Sequence, residues 1–354
     1  MLRRRQIAFF TLMILGASSL FCSNAHADQP RHETGFQKLE IPASDQGRAL
    51  SGAIWYPTEN VTHTTATLIA DNAAFVGEKA IIDAAPDAQP HPLIVLSHGF
   101  GGNWRNQAWL ATSLAQAGYI VAAINHPGTT SRDLEPLKGA RLWQRPADIS
   151  HLVTALEQDA RWAPHIDTSD ISAIGHSLGG WTVLELAGAR MDADKMAQDC
   201  QRHPELAACD VVRDFAIGKT ATDRTNLEQN LRDPRIKRVI SLDLGLARGF
   251  SEDSLGHITI PTLVIAAGSP NPKLPAKLES RYLFDHLPAK YRTLIVLENA
   301  AHFSFLQSCK PNAINLLEAE KPGDGIICKD GVKSDRPQIH QEVTQQVLAF
   351  LARH

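Results

Sequence analysis

The chain of 354 residues carries a formal net charge of −3, and 44% of its residues are hydrophobic. This length accommodates one large α/β domain with insertions or two small domains. Basic residues form no block beyond the extreme N-terminus, so we expect no nucleic-acid partner. The sequence also contains no internal repeat and no low-complexity tract, which excludes the repeat and low-complexity classes of protein.

Residues 1–27 have the pattern of a secretory signal peptide. Three arginines near the N-terminus precede an apolar run at Ile7–Phe21, and small residues ending at Ala27 match a signal-peptidase site. The apolar run is shorter than the ~20 residues that span a bilayer, so we expect no stable membrane anchor. Lipoprotein processing at Cys22 is disfavoured because the bulky Phe21 precedes it. Cleavage after Ala27 would leave a mildly acidic, periplasmic or secreted protein of formal charge −6.

Short apolar runs bounded by turn residues alternate with segments of helical spacing along most of the chain. The run at 92–97 is continuously apolar, as expected of a strand that is buried on both faces. Predicted strands lie at 50–57, 92–97, 120–125, 171–175, 238–243, 262–268 and 291–299. Predicted helices lie at 106–119, 145–162, 178–190 and 340–354. Alternating strands and helices indicate an α/β fold with a doubly wound, mostly parallel sheet over residues 28–354.

Two polar segments, residues 191–235 and residues 303–337, interrupt this alternation. Excursions of this length inside a domain are usually functional. The first leaves the predicted sheet just after the helix at 178–190, so it is either a lid over a site at that helix or surface decoration. The second segment is expected to be a loop.

Four cysteines remain after the expected cleavage, and each polar segment contains two of them. Cys200 and Cys209 lie in the first, and Cys309 and Cys328 lie in the second. An even number of cysteines in an exported chain favours two disulfides over free thiols. Three connectivities are possible, and local pairing within each segment fits best. No pair has the short spacing typical of zinc ligands, so we expect no metal site.

The segment Ala173–Trp181, AIGHSLGGW, places Ser177 between two glycines where a predicted strand meets a predicted helix. The pattern G-x-S-x-G in this context is typical of a nucleophile elbow, a tight turn that exposes a serine hydroxyl. Small neighbours are needed because larger side chains would clash with adjacent strands. The alternative is a glycine-rich turn with an incidental serine.

A site for the oxyanion of an acyl-transfer reaction is expected beside Ser177. In a fold with such an elbow, one N–H donor comes from the residue after the nucleophile, here Leu178. The other comes from the loop after an earlier strand, and the glycine-rich string LSHGFGGNW at 96–104 makes Phe100 the candidate. His98 precedes the serine in the chain, and we expect its imidazole to support this loop by hydrogen bonding.

The general base is expected to be a histidine that follows both the serine and the acid in the chain. His302 comes just after the predicted strand 291–299, and small residues before it let its loop reach the edge of the sheet. His286 and His340 lie on helical patterns, where a surface histidine is the simpler interpretation. His302 is therefore the predicted base.

The acid is expected at the end of a strand that neighbours the histidine strand. The strand at 262–268 is followed by no acidic residue before Glu279, whereas Asp243 ends the strand at 238–243. Asp243 is therefore the predicted acid, and it would orient the imidazole without taking the proton. The alternative is an aspartate that caps a loop.

The chain resembles the bacterial predicted dienelactone hydrolases, which are similar to the platelet-activating-factor acetylhydrolases within the α/β-hydrolases. The resemblance covers most of residues 50–354 and rests on the strings PLIVLSHGFGGNWRNQAWLATSLAQAGYIVAAINHPGTTSRD, GHSLGG, SLDLGL and AAHFSFLQSC. It implies an α/β-hydrolase fold, Asp243 as the acid, oxyanion donors at Phe100 and Leu178, and pairing of Cys309 with Cys328. True dienelactone hydrolases use a cysteine nucleophile where this chain has a serine, which argues against dienelactone as the substrate.

Residues around the expected site are candidates for substrate binding. His126, in NHPGTTSRD, and His176, beside the serine, are two of them, with a structural role for His126 as an equal alternative. Trp104, with Trp109 and Trp143, either shapes an apolar pocket or packs in the core.

Together these residues predict an exported serine hydrolase that cleaves small-molecule or lipid-like carboxylic esters, with no metal or organic cofactor. An amidase or peptidase with the same triad is an alternative, because the triad does not distinguish ester from amide. A non-catalytic binding protein on the same scaffold is a second alternative.

Overall fold

The computed structural model describes residues 32–45, 47–58, 65–332 and 334–354. The predicted signal peptide at 1–27 lies outside these residues. No helix in the described ranges is long and apolar enough to cross a lipid bilayer.

Ten strands form one sheet whose centre is parallel. The strands are β1 (Glu33–Ile41), β2 (Leu50–Thr58), β3 (Thr67–Ile69), β4 (Glu78–Ile82), β5 (His91–Ser97), β6 (Ile120–Ile124), β7 (Ile166–His176), β8 (Ile236–Leu242), β9 (Thr262–Ala267) and β10 (Arg292–Leu297). Their order in the sheet is β10–β9–β8–β7–β5–β6–β2–β1–β4–β3. The strands from β10 to β6 pair in parallel, and β2 pairs antiparallel with both β6 and β1. The predicted mostly parallel sheet is confirmed.

Three strands, β1, β3 and β4, have no counterpart in the prediction. The sequence of β1, ETGFQKLEI, mixes charged and apolar residues, and β3 has only three residues, two of them exposed. These strands are the last three at one end of the sheet, where other elements cover them less than the central strands. They therefore lack the continuous apolar run that marks a central strand.

Helices cover both faces of the sheet. They are α1 (Ala108–Gln116), α2 (Pro136–Gly139), α3 (Gln144–Gln158), α4 (Leu178–Ala187), α5 (Ala193–Arg202), α6 (Ala207–Asp214), α7 (Ala221–Leu227), α8 (Glu252–Gly256), α9 (Ser280–His286), α10 (Ala313–Glu320) and α11 (Arg336–Leu351). Along β5, Leu93 and Val95 join the core cluster that contains α3 and α4 side chains. The intervening Ile94 and Leu96 join the cluster that contains α1 and α11 side chains. Because side chains alternate along a strand, each β5 residue supports one face of a doubly wound fold.

The insertion at 191–235 consists of α5, α6 and α7 and the turns between them. A disulfide joins Cys200 on α5 to Cys209 on α6. The second disulfide joins Cys309 to Cys328. Both pairs are local, as the sequence favoured.

The segment at 303–337 is not a loop throughout, which corrects the prediction. It contains α10 and the first residues of α11. Two features make α10 difficult to predict from the sequence. It lies between Pro311 and Pro322, and its apolar residues Ile314 and Leu316 are exposed. It therefore lacks the apolar face typical of a helix that packs on a core.

Candidate active site

Ser177 occupies a sharp turn between β7 and α4. Its backbone φ and ψ angles are 55° and −121°, in a region that L-residues rarely adopt. The Ser177 N–H donates to the carbonyl oxygen of Leu242 in β8 at 3.0 Å, which holds the turn against the sheet. The backbone therefore has the predicted strand–turn–helix geometry, at the carboxyl end of the parallel strands.

Two glycines let the chain approach itself closely on either side of Ser177. A Cβ atom at Gly175 would overlap the carbonyl oxygen of Gly179, and a Cβ atom at Gly179 would overlap the carbonyl oxygen of Ser97. These positions require glycine because α4 starts against the ends of β7 and β5 with no room for a side chain.

Ser177, His302 and Asp243 lie in one hydrogen-bonded line although they are far apart in sequence. Ser177 Oγ lies 3.1 Å from His302 Nε2, and His302 Nδ1 lies 2.7 Å from Asp243 Oδ2. With its proton on Nδ1, the imidazole donates to Asp243 and accepts from the Ser177 hydroxyl. Ser177 and His302 are half-buried, and Asp243 is buried.

Asp243 follows β8 and is fixed by the neighbouring strand β9. Its φ is 46°, and its N–H donates to the carbonyl oxygen of Ile265 at 2.7 Å. Its Oδ1 accepts the N–H of Ala267 at 3.0 Å. The carboxylate thus caps the end of β9 with one oxygen and contacts His302 Nδ1 with the other.

Glu279, the first acidic residue after β9, braces the loop that follows Asp243. It is buried, and its Oε2 accepts the N–H of Ala247 at 2.8 Å. Burial raises the pKa of Glu279 to about 8. Its carboxyl group therefore supports the loop that follows Asp243 through this hydrogen bond.

The loop that carries Phe100 passes beside Ser177. A Cβ atom at Gly99 would lie 3.1 Å from Ser177 Cβ. Leu178 is the first residue of α4, so its N–H has no acceptor in a preceding helical turn. Among the described residues, the Phe100 N–H also has no hydrogen-bond acceptor. Both predicted donors therefore keep a free N–H on segments next to Ser177.

His98 supports this loop, as predicted from its position. Its Nδ1 donates to the carbonyl oxygen of Gly99 at 2.7 Å, and its Nε2 accepts the N–H of His126 at 3.0 Å. Burial and then the nearby Arg145 charge lower the pKa of His98 well below its ordinary value, so the ring stays neutral. The Gly99 carbonyl and the Phe100 N–H belong to one planar trans peptide and point in opposite directions. The His98 contact therefore sets the direction of the Phe100 N–H.

His176 and His126 are both buried, so neither has the exposed position expected of a residue that lines the substrate site. For His126 this favours the structural alternative. The His176 Nε2 donates to the carbonyl oxygen of His302 at 2.9 Å. Burial, followed by the neighbouring His302, lowers the pKa of His176 well below its ordinary value. His126 has no exposed surface, and its rings nitrogens contact Asp148 and Ser97 at 2.8 and 3.0 Å. Both side chains hold loops of the site in place.

Trp104 packs in the core, which decides between its two predicted roles. Its ring centroid lies 5.7 Å from the rings of both Phe36 and Trp55. Trp109 is also buried and stacks on His340 at 3.7 Å. The pocket role for Trp104 is wrong because the turn that carries it faces the apolar layer beneath α1.

His340 is buried, which corrects its expected position on the surface. Its Nε2 donates to the carbonyl oxygens of Ser304 and Leu306 at 3.1 and 2.9 Å. Burial lowers the pKa of His340 to about 3. It ties α11 to the turn that carries His302. Its helical spacing from the buried Val343 and Val347 is the signal that could have revealed this.

The insertion at 191–235 reaches the loop that carries Phe100 through Phe215, which lies just after α6. The centroids of the Phe215 and Phe100 rings lie 4.9 Å apart at an interplanar angle of 90°. Phe215 also lies against Gly139, where a Cβ atom would come within 2.5 Å of the Phe215 ring. Trp143 is half-buried against the same core cluster as these two phenylalanines.

Other features of the surface lie away from Ser177. A cavity of about 350 Å³ at the far end of α4 is lined by residues that include Gly188, Arg190, Arg232 and His257. Within the described residues, no group of three or more His, Cys, Asp and Glu side chains is arranged to hold a metal ion.

Comparison with protein families gives two matches. Residues 94–311 match the alpha/beta hydrolase family. This range contains all three residues of the hydrogen-bonded line. Residues 17–132 match the family of platelet-activating factor acetylhydrolase, isoform II.

Curated relatives include several bacterial cutinases. The cutinase est1 of Thermobifida alba is 24% identical over 212 residues, which are 60% of this chain and 53% of that protein. A cutinase of Thermobifida fusca (strain YX) is 24% identical over 168 residues, which are 48% of this chain and 49% of that protein. The chain therefore spans about half the length of the curated relatives it matches.

A solved structure shares the fold over almost its full length. The ferulic acid esterase from Streptomyces cinnamoneus superposes with a TM-score of 0.62 at 19% identity, covering 94% of this chain and 92% of that chain. This likeness of fold and the family match over more than half of the sequence agree with the mostly parallel sheet of this chain. The chain belongs to the alpha/beta hydrolase family.

Proposed function

We propose that the protein is a serine hydrolase that cleaves carboxylic esters through an acyl-enzyme intermediate. The observation that carries the proposal is the hydrogen-bonded line from Ser177 through His302 to Asp243, with the serine on a strained elbow. A serine hydroxyl is a weak nucleophile unless a neighbouring base accepts its proton. Here His302 Nε2 is in hydrogen-bond reach of that proton.

Acylation proceeds as the Ser177 oxygen attacks the ester carbonyl and its proton passes to His302 Nε2. The carbonyl oxygen becomes an oxyanion and accepts hydrogen bonds from the Phe100 and Leu178 N–H groups. His302 then gives the proton to the leaving alcohol oxygen, and the carbon–oxygen bond to that alcohol breaks. Asp243 stabilises the imidazolium and fixes its tautomer without taking the proton.

Deacylation repeats these steps with water. His302 Nε2 accepts a proton from water, whose oxygen attacks the acyl-enzyme carbonyl. The proton returns to Ser177 Oγ as the acid leaves. Every proton transfer uses one histidine and no other group, which is why its position between Asp243 and Ser177 matters.

The relatives favour esters over amides as substrates. Those matched by sequence are named cutinases, and the matched structure is a ferulic acid esterase. Each name denotes a carboxylic ester hydrolase. The triad itself does not distinguish the two bonds, so this preference rests on the likeness and needs a direct test.

We further propose that residues 191–235 form a cap over the acyl-binding side of the site. The edge-to-face contact of Phe215 with Phe100 supports this, because Phe100 is the residue whose N–H would bind the oxyanion. The Cys200–Cys209 disulfide fixes the two helices that precede Phe215. Two disulfides also support an exported protein, because they persist in oxidising compartments.

The test compares the purified protein with its Ser177→Ala variant on p-nitrophenyl acetate, butyrate and octanoate, and on p-nitroacetanilide. We expect ester turnover by the wild type, a loss of about 10⁴-fold or more in kcat for Ser177→Ala, and much slower cleavage of the anilide. Ser169→Ala, on the exposed amino-terminal part of β7, is the matched control and should keep wild-type rates. Equal rates for the wild type and Ser177→Ala would contradict the proposal, and preferential anilide cleavage would make the protein an amidase.

A further inference from the structure

Arg145 is a buried cation beneath the loop that carries Phe100. It lies in the first turn of α3 and is 1% exposed. Its guanidinium donates to the Thr182 Oγ1 at 3.0 Å, the Thr129 Oγ1 at 2.6 Å, the Ser97 Oγ at 3.3 Å and the His98 carbonyl oxygen. Burying a guanidinium is costly unless its N–H groups are satisfied, so the surrounding oxygens must be held in place to receive it.

One of these contacts leads to the Phe100 N–H. Arg145 holds the carbonyl oxygen of His98, and the His98 ring in turn holds the carbonyl oxygen of Gly99. The peptide between Gly99 and Phe100 carries the N–H that would bind the oxyanion. Arg145 therefore fixes the residue whose side chain aims this N–H.

A second contact leads to the Leu178 N–H. The Thr182 hydroxyl accepts from Arg145 Nε and donates to the carbonyl oxygen of Leu178 at 2.9 Å. This bond lies in the first turn of α4, which presents the Leu178 N–H. One guanidinium thus links the two segments that hold the two oxyanion donors.

A chain of hydrogen bonds connects Arg145 to the buried carboxylate of Asp148. Asp148, on the next turn of α3, accepts from Arg48 at 2.8 and 2.7 Å and from His126 Nδ1 at 2.8 Å. The Ser97 hydroxyl connects this group to Arg145, because it accepts from the guanidinium and donates to His126 Nε2. Burial lowers the pKa of Arg145 to about 9, which leaves it protonated at neutral pH.

We propose that Arg145 is a positioning residue for the oxyanion hole. It fixes the His98–Phe100 loop relative to the first turn of α4, so that the Phe100 and Leu178 N–H groups converge on one oxygen. This inference rests on the proposed esterase function. Preorganised donors stabilise the transition state because they need not reorient as charge develops. The loss of Arg145 should therefore affect the chemical step more than substrate binding.

The first test is the steady-state kinetics of Arg145→Met and Arg145→Lys on p-nitrophenyl acetate. Methionine fills similar space without donors, and we expect a fall of about 100-fold in kcat with KM changed by less than ~3-fold. Lysine keeps the charge but not the planar fork, so it should recover only part of the rate.

A transition-state analogue separates positioning from loss of fold. A trifluoromethyl ketone adds to the serine and places an oxyanion where the reaction would. Its inhibition constant should weaken in Arg145→Met by the same factor as kcat/KM falls. Arg238→Met is the control, since Arg238 is 7% exposed and donates to Asp170 and Ser172 on β7. This control should keep kcat and the inhibition constant within ~3-fold of wild type.

The outcomes distinguish this inference from the proposed function. Wild-type kcat and inhibitor binding in Arg145→Met would overturn the role of Arg145 while leaving the esterase intact. If the wild type hydrolyses no ester and binds no ketone, both proposals fall. If Arg145→Met does not fold, Thr182→Val removes one of the four Arg145 contacts and the bond from Thr182 to the Leu178 carbonyl oxygen. This variant should lower kcat by about tenfold, and an unchanged kcat would contradict the inference.

Discussion

Ser177 and Asp243 share an uncommon backbone geometry, with φ angles of 55° and 46°. Such a conformation costs on the order of 1–3 kcal/mol for a residue other than glycine. Each is held by an N–H bond to a carbonyl oxygen of a neighbouring strand, Leu242 for Ser177 and Ile265 for Asp243. The sheet thus keeps two strained residues rigid at the point where their side chains meet His302.

Asp243→Asn should lower kcat by about 10⁴-fold with little change in KM. Both carboxylate oxygens accept N–H groups, from Ala267 and from His302. An asparagine has one accepting oxygen, and the fixed backbone N–H of Ala267 will claim it. The amide NH₂ then faces His302 Nδ1, so the proton moves to Nε2 and the ring can no longer accept the proton of Ser177. Steady-state kinetics of ester hydrolysis measure the effect.

Asp170→Asn is the matched control for this substitution. Asp170 lies in the first half of β7, the strand that precedes Ser177, and it pairs with Arg238 on β8. The control should keep kcat near the wild-type value. A rate within tenfold of wild type for Asp243→Asn would show that Asp243 is not the acid.

At the residue scale, the sequence reveals groups whose chemistry follows from order and local motif. Ser177 stands in a recognisable pentapeptide, and the order of serine, acid and histidine leads to Asp243 and His302. Arg145 has no such motif, because its role depends on oxygens contributed by segments far apart in the chain. Buried polar networks of this kind become visible only when the fold brings their members together.

At the scale of elements, the strands that carry the site are the most predictable. The sheet centre is built from continuous apolar runs, and the site loops follow β5, β7, β8 and β10. The insertion at 191–235 is harder to predict because α5 to α7 are short and contain few buried residues. The sequence indicates the disulfide that joins α5 to α6, but it does not indicate the contact of Phe215 with Phe100, because these residues are far apart in the chain.

Phe215→Ala should shift the preference of the enzyme towards longer acyl chains. The Phe215 ring closes the space beside Phe100, and removing it opens room for more methylene groups. We expect the ratio of kcat/KM for p-nitrophenyl octanoate to that for the acetate to rise by about tenfold.

Phe284→Ala is the control for this prediction. Phe284 lies on α9, where its ring contacts the guanidinium groups of Arg281 and Arg292. It is a half-buried phenylalanine outside the insertion, so its loss should leave the chain-length ratio unchanged. An unchanged ratio in Phe215→Ala would mean that the insertion does not bound the acyl site.

At the scale of the whole molecule, the C-terminal helix α11 supports the turn that carries His302. It packs on the face of the sheet opposite to α4. α11 packs in the same core cluster as α1, and His340 connects it to the turn after His302. The pKa of His340 is about 3 in the folded protein, against 6.5 for an unperturbed histidine. Between these values the unfolded chain binds a proton that the folded chain does not. The free energy of unfolding therefore falls as the pH falls below 6.5.

His340→Gln should make this acid destabilisation less steep. Glutamine can still donate to the Leu306 carbonyl but cannot take up a proton. We expect the slope of the free energy of unfolding between pH 4 and 6 to decrease by about 1.4 kcal/mol per pH unit relative to wild type. Urea denaturation at several pH values measures the slope. His286→Gln, at a half-exposed histidine on α9, should keep the wild-type slope, and equal slopes for all three proteins would contradict the prediction.

The most direct test of the central claim is to trap the acyl-enzyme. The wild-type protein is mixed with p-nitrophenyl acetate, quenched in acid within the first turnovers, digested and examined by mass spectrometry. We expect one acetyl group on Ser177 in the wild type and none in Ser177→Ala. Ester hydrolysis that leaves Ser177 unmodified while another residue carries the acetyl group would contradict the account.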